Sequence, residues 1–267
     1  MSGLPHLRVE GLSAWSPGLP DWTSMAAYAR GEADRLADAP RRPAPSLLPA
    51  NERRRAPDSV LLALQVAQAA CDQAARSPRD LPSIFTSTHG DLAITDYMCQ
   101  TLASAPQEMS PTKFHNSVHN AAAGYWTIGT GCHQPATAIS AYTGSFAQGL
   151  LEAALQVAAG AEAVLLVAYD GASVGPLANV SRSENLFGLA MVLSRAAAPV
   201  GPGIAPVLAL RWQNSAADEA PASPLLLALQ GNAMAPALRL VTALATGAAA
   251  CSLPAGPNQS LSIEIQR

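Results

Sequence analysis

Lysine is almost missing from this chain. Lys113 is the only one, and Lys and Arg together number 16 against 19 Asp and Glu, for a formal net charge of −3. So little positive charge leaves no electrostatic footprint for nucleic acid or an anionic lipid surface. Charged residues of both signs reach only 13%, against ~25% in an ordinary soluble domain, which leaves room for a large apolar contact with another subunit. The four cysteines, Cys71, Cys99, Cys132 and Cys251, are irregularly spaced and form no C-x-x-C. That argues against a metal cluster or a disulfide framework and fits a reduced, cytoplasmic protein. The opening residues, MSGLPHLRVE, lack the apolar core of a signal peptide. The apolar stretch 150–167 is broken by Glu152, Gln156 and Glu162, so no membrane span is expected.

What is present is a core-forming chain of 267 residues, 49% of them hydrophobic, enough for one large core or two small ones. Residues 7–15 read as a strand ending in a Ser-Pro-Gly turn. Asp21 is placed to cap a short helix that Gly31 ends, and Asp58 to cap a long helix stopping near Arg76. Further strands are expected at 83–87, 136–142, 163–168, 187–193, 206–212 and 261–265, and helices at about 92–103, 145–159 and 236–245. The continuous apolar run 163–168 is that of a strand covered on both faces. Alternating strands and helices predict an α/β layered fold. The polar, Ala- and Pro-rich stretch 215–223 reads as a linker between a domain at 1–214 and a short remnant at 224–267 that completes the core.

Three motifs invite a chemical reading. Gly171-Ala172-Ser173-Val174-Gly175 has the G-x-S-x-G pattern of hydrolases, but Pro176 comes at once after it and no histidine occurs after His133, so the strained turn and the downstream base are both lacking. His115 and His119 are four apart, which on a helix would put two zinc ligands on one face. No acidic residue lies between them, and a buried polar network at a contact surface suits their neighbours better. No metal and no cofactor are therefore expected. Arg53-Arg54-Arg55 suits a solvated surface patch, or a site for an acidic carrier protein or a phosphate.

The most informative segment is 136–149, Ala-Thr-Ala-Ile-Ser-Ala-Tyr-Thr-Gly-Ser-Phe-Ala-Gln-Gly. A strand runs into small residues and then into an amphipathic helix, as in a nucleophile elbow, where a tight turn exposes one side chain and the helix N-terminus directs its positive dipole at it. Thr143 is the residue expected at the exposed place. Here the sequence resembles the β-ketoacyl synthases of the thiolase-like fold, whose elbow reads Ile-Ser-x-Ala-Cys. Ile139-Ser140-Ala141-Tyr142-Thr143 aligns without a gap, with Tyr142 for the alanine and Thr143 for the cysteine. Residues 7–18, 82–90 and 187–193 resemble the family's first strand, next strand and closing strand, so the likeness spans about 7–195. Ser110 to Asn120 and Gly124-Tyr125-Trp126 resemble the short chain length factor subgroup of aryl polyene-type pathways.

The resemblance implies a thiolase-like α/β layered fold, largely one half of a ketosynthase closed by a C-terminal helix and strand. It also implies loss of catalysis. Condensation needs a thiolate to carry the acyl group and two histidines to support decarboxylation and the oxyanion. Thr143 stands where the thiol should be, and the second half carries no histidine and no lysine. In the family the strand before the elbow pairs with its twin across a two-fold axis, and one subunit walls part of the other's acyl tunnel. The implied role is a non-catalytic chain length factor, heterodimeric with a full-length ketosynthase and shaping the tunnel for acyl chains bound to acyl carrier protein. Phe114, His115, Asn116, His119, Asn120, Tyr125, Trp126, Tyr142 and Phe146 are the implied tunnel or interface residues. The alternative is an autonomous acyltransferase using Thr143 or Ser145.

Overall fold

The computed structural model describes residues 4–196 and 205–267. In chain order its elements are β1 (Leu7–Trp15), α1 (Trp22–Ala29), α2 (Ala50–Arg55), α3 (Asp58–Ala74), β2 (Ser83–Thr86), α4 (Leu92–Ser104), α5 (Pro111–His115), α6 (Ala121–Thr130), β3 (Ala136–Ile139), α7 (Ser145–Ala158), β4 (Ala163–Asp170), β5 (Phe187–Arg195), β6 (Val207–Gln213), α8 (Pro224–Leu229), α9 (Leu238–Thr246), β7 (Ala250–Gly256) and β8 (Gln259–Gln266). The eight strands form one mixed sheet in the order β3-β2-β4-β5-β1-β6-β8-β7. β2 is parallel to both β3 and β4, and the rest of the sheet is antiparallel.

Period-two alternation sends successive side chains to opposite faces of a sheet, and two separate cores result. From β4, Val164, Leu166 and Ala168 join the core containing residues of α1, α7, α8 and α9. The interleaved Leu165, Val167 and Tyr169 join the core containing residues of α3 and α6. A strand covered on both faces can be apolar at every position, which is why the run 163–168 shows no alternation. This is the layered α/β architecture expected of one ketosynthase half. Its C-terminal closure is a helix and a hairpin, β7–β8, in place of the expected helix and single strand.

Local chemistry explains most boundaries. Asp21 accepts from the Ser24 amide at 2.8 Å and the Ser24 hydroxyl reaches back, a reciprocal cap for α1. Asp58 does not cap α3 as expected. It is the first helical residue, behind Pro57, and its carboxylate takes the Arg42 guanidinium at 2.5 Å. β3 stops at Ile139, short of the expected Tyr142, because Tyr142 turns into the left-handed region with φ 51°. Among the described residues, no helix is long and apolar enough to cross a membrane.

Gly11 sits where β1 slips register against β5, and α3 passes directly over it. A Cβ there would run into the Ala70 carbonyl and crowd Ala74. Backbone cannot yield as a flexible side chain can, so Gly11→Ala should lower stability by about 2 kcal/mol or more. Chemical denaturation of the two proteins measures this directly.

Candidate functional site: the elbow and its cavities

The elbow is held by one hydroxyl. Ser145 Oγ donates to the Tyr142 carbonyl at 2.7 Å and accepts from the Ala141 amide at 3.0 Å. Thr86 Oγ1 donates to the Ser145 carbonyl at 2.8 Å, and Ser140 Oγ to the Thr88 carbonyl at 2.8 Å. Gly144 lies against β7, where a Cβ would come within 2.8 Å of the Ala255 carbonyl oxygen. The turn is thus clamped from the strand side and from the far edge of the sheet. The strained residue is Tyr142, since left-handed backbone is costly for a bulky side chain. Tyr142 and Thr143 are both exposed. With Thr88, Ser181, Arg182 and Asn232 they line a cavity of about 420 Å³.

This geometry limits the chemistry. Ser145 is 1% exposed and its hydroxyl is engaged on both sides, so it is poorly placed to act as a nucleophile. The thiols of Cys71 and Cys251 are pushed up to about 12 by burial, which removes the thiolate that an acyl acceptor needs. The motif serine Ser173 accepts from the Ser183 amide at 2.8 Å and donates to the Ser183 carbonyl at 3.2 Å. It closes a loop, and the chain then enters the short 3-10 turn Gly175–Asn179 instead of a helix.

Behind the elbow, Asp170 closes β4 with a buried carboxylate. It accepts from Ser87 Oγ at 2.6 Å and from the Thr88 amide at 3.0 and 3.1 Å. Burial pushes its pKa up, opposed by the bonds from Ser87 and Thr88. Asn232 ties the end of the same strand to a neighbouring loop, donating to the carbonyls of Asp170, Glu184 and Asn185.

The expected tunnel or interface residues divide into two groups. Phe114, His115, Asn120 and Tyr142 are exposed, and Tyr125 is half-buried. His115, Asn120 and Tyr125 share a groove of about 640 Å³ with Leu47, Val118 and Ile128, and the His115 ring meets Tyr125 edge-on at 6.1 Å. Ile128, Phe114 and Val118 are 80%, 62% and 52% exposed, an unusual concentration of apolar side chains in water. Trp126 and Phe146 are instead core residues on opposite faces of the sheet, at 0% and 1% exposure. Helical spacing turns both inward. Asn116 is likewise buried. His119 has its Nε2 3.0 Å from the Ser87 carbonyl oxygen. It lies outside the helix that ends at His115, so the two histidines do not share a helical face. Among the described residues, no cluster of three or more His, Cys, Asp or Glu side chains could hold a metal ion.

A family model described as β-ketoacyl synthase, N-terminal domain, matches residues 22–258. No curated protein sequence matches the chain. Among solved structures, the ketosynthase ApeO in complex with its chain length factor ApeC from Xenorhabdus doucetiae aligns with a TM-score of 0.73 at 24% identity, covering 97% of this chain and 98% of that one. The ishigamide ketosynthase/chain length factor aligns with a TM-score of 0.73 at 15% identity, covering 98% and 99%. The AntDE:AntF complex of a type II polyketide acyl carrier protein with its ketosynthase aligns with a TM-score of 0.72 at 14% identity, covering 97% and 99%. At these identities the likeness establishes a shared thiolase-like fold.

Asp170 makes the site sensitive to pH in a definite direction. Its folded pKa lies above that of an unfolded carboxyl, so the folded state binds the extra proton. Its contribution to stability is therefore fully present below the unfolded value and is lost as pH rises through the folded one. Asp170→Asn should flatten that part of the stability-versus-pH curve, read by urea midpoints across the acid range. An unchanged curve would show that Asp170 does not titrate with folding.

Proposed function

This chain belongs to the β-ketoacyl synthase family, and from that membership we propose that it is a chain length factor: a partner subunit without a condensing nucleophile that pairs with a full-length ketosynthase. The observation that carries the reading is the elbow itself. Its clamps are intact, while Tyr142 and Thr143 occupy the turn where condensation requires a cysteine thiolate. Threonine has no accessible anion near neutral pH and needs an adjacent base. No histidine or lysine occurs after His133 in the sequence. Near-complete mutual coverage with chains from two ketosynthase/chain length factor structures supports the same reading.

Pairing is supported by an unsatisfied edge. Among the described residues, β3 ends the sheet and hydrogen-bonds only to β2, and an open edge is a template for another strand. Four residues of strand cover too little area for a stable complex, which needs about 800 Å² per partner. The exposed face of α5, α6 and the turn between them, with Phe114, Ile128 and Val118, lies just before β3 in the chain and supplies apolar surface to make up the difference. The neighbouring groove, walled by His115, Asn120 and Tyr125, is the part of this subunit assigned to the acyl tunnel. The substrate is an acyl chain on an acyl carrier protein, elongated in the cytoplasm by an aryl polyene-type pathway.

Co-expression with a full-length ketosynthase from the same organism should give a one-to-one heterodimer by native mass. Ile128→Asp should weaken the pair about 30-fold or more, the cost of burying a charge at an apolar contact being at least ~2 kcal/mol. A chain that stays monomeric beside that ketosynthase, or condenses without it, would overturn the proposal. Thr143→Cys and Tyr142→Cys in the isolated chain should yield no condensation product by mass spectrometry, because the thiol returns without its histidines.

A further inference from the structure

We propose that Ser181 and His89 form a nucleophile–base pair that cleaves acyl thioesters entering the elbow cavity. Ser181 Oγ lies 2.6 Å from His89 Nε2, within the reach that serine activation requires. Ser181 lines the cavity that also holds Tyr142 and Thr143. His89 lines the adjoining cavity of about 410 Å³ on the other side, together with Asp91 and Asp170, so an imidazolium formed there stands among acidic side chains.

Both partners are fixed by backbone anchors. His89 comes directly after Ser87 and Thr88, which Asp170 ties down, and the Gly90 amide donates to Ser87 Oγ at 2.9 Å. On the other side, the Ser181 amide donates to the Leu177 carbonyl at 2.9 Å, and Ser183 Oγ to the Gly171 carbonyl at 2.7 Å. Positioning of this kind is what makes a hydroxyl and an imidazole act together. One buried donor in the same cavity is still free. Thr88 is 8% exposed, and its hydroxyl has no hydrogen-bond partner among the described residues. It is the group available to a developing oxyanion.

The chemistry balances with water as the only co-reactant. Ser181 Oγ bonds to the thioester carbonyl carbon as its proton passes to Nε2 of His89, in the tautomer protonated at Nδ1. The C–S bond breaks and the thiol leaves with the proton from His89. Water, deprotonated by His89, then attacks the Ser181 ester; the bond between the acyl carbon and Ser181 Oγ breaks, the acid is released, and His89 returns the proton to Ser181 Oγ. The outcome is removal of a chain and not its extension, which is compatible with a subunit that contributes no thiolate to condensation.

The choice of an acyl thioester rests on the proposed function, whereas the reactivity of Ser181 does not. The experiment therefore has two arms on the full chain without ketosynthase. In the first, a fluorophosphonate probe is tracked by intact mass and peptide mapping. A single adduct on Ser181 is expected, absent from Ser181→Ala and formed about 100-fold more slowly in His89→Gln, the scale of a general-base contribution. In the second, an N-acetylcysteamine thioester of a short acyl chain should be hydrolysed with the same dependence on both residues. No adduct, an adduct on another residue, or a rate unchanged in folded His89→Gln would overturn the pair. Labelling of Ser181 without thioester hydrolysis would overturn the substrate assignment and leave the pairing of subunits to be judged by native mass.

Discussion

The carboxylate of Asp170 is withdrawn from water at the C-terminal end of β4, and such a group is tolerated only where donors surround it. The donors come from one short loop, Ser87 and Thr88. That loop is the hub of the functional end of the sheet. Its Ser87 carbonyl meets His119, its Thr88 carbonyl receives Ser140 from the elbow, and its His89 reaches Ser181. One buried acid thus sets the mutual positions of the elbow, the histidine after α5 and the loop before β5. Removing the side chain would leave the Thr88 amide without its acceptor in a buried place, at a cost of about 1–3 kcal/mol, and would release three segments together.

A second constraint acts at the other end of the elbow. The sheet has two ends, β3 and β7, and they are treated differently. β7 carries Pro254, a residue tolerated at a sheet edge, and its Ala255 carbonyl receives Gln148 at 2.9 Å beneath the elbow. β3 has no such device and stands beside the apolar face of α5 and α6. An edge left open next to exposed Ile128 and Phe114 is a liability in isolation and an asset in an assembly, the physical basis for reading this chain as a subunit.

Much of this is legible in the sequence. β1 falls on the expected residues because alternation and the Ser-Pro-Gly turn agree, and α7 runs from Ser145 to one residue short of the expected end. Small residues after a strand mark the elbow. Other features escape the sequence for identifiable reasons. α8 has a signal in Ser223 with Pro224 behind it, a cap with proline in the first turn, but it is too short to show a period. α2 is six residues long and β7 is interrupted by a proline, so neither has a period to read. The turn of Trp126 and Phe146 into the two cores, and the strain at Tyr142, depend on how elements pack. Ser181 and His89 lie 92 residues apart, and no spacing rule joins them.

Hydrogen–deuterium exchange on this chain, alone and with the full-length ketosynthase, tests the central claim most directly. If the open edge is where the partner binds, backbone amides of residues 136–139 and of α5 and α6 should gain protection in the complex while β7 and β8 exchange as before. Protection confined to β7–β8, or none at all, would contradict the account.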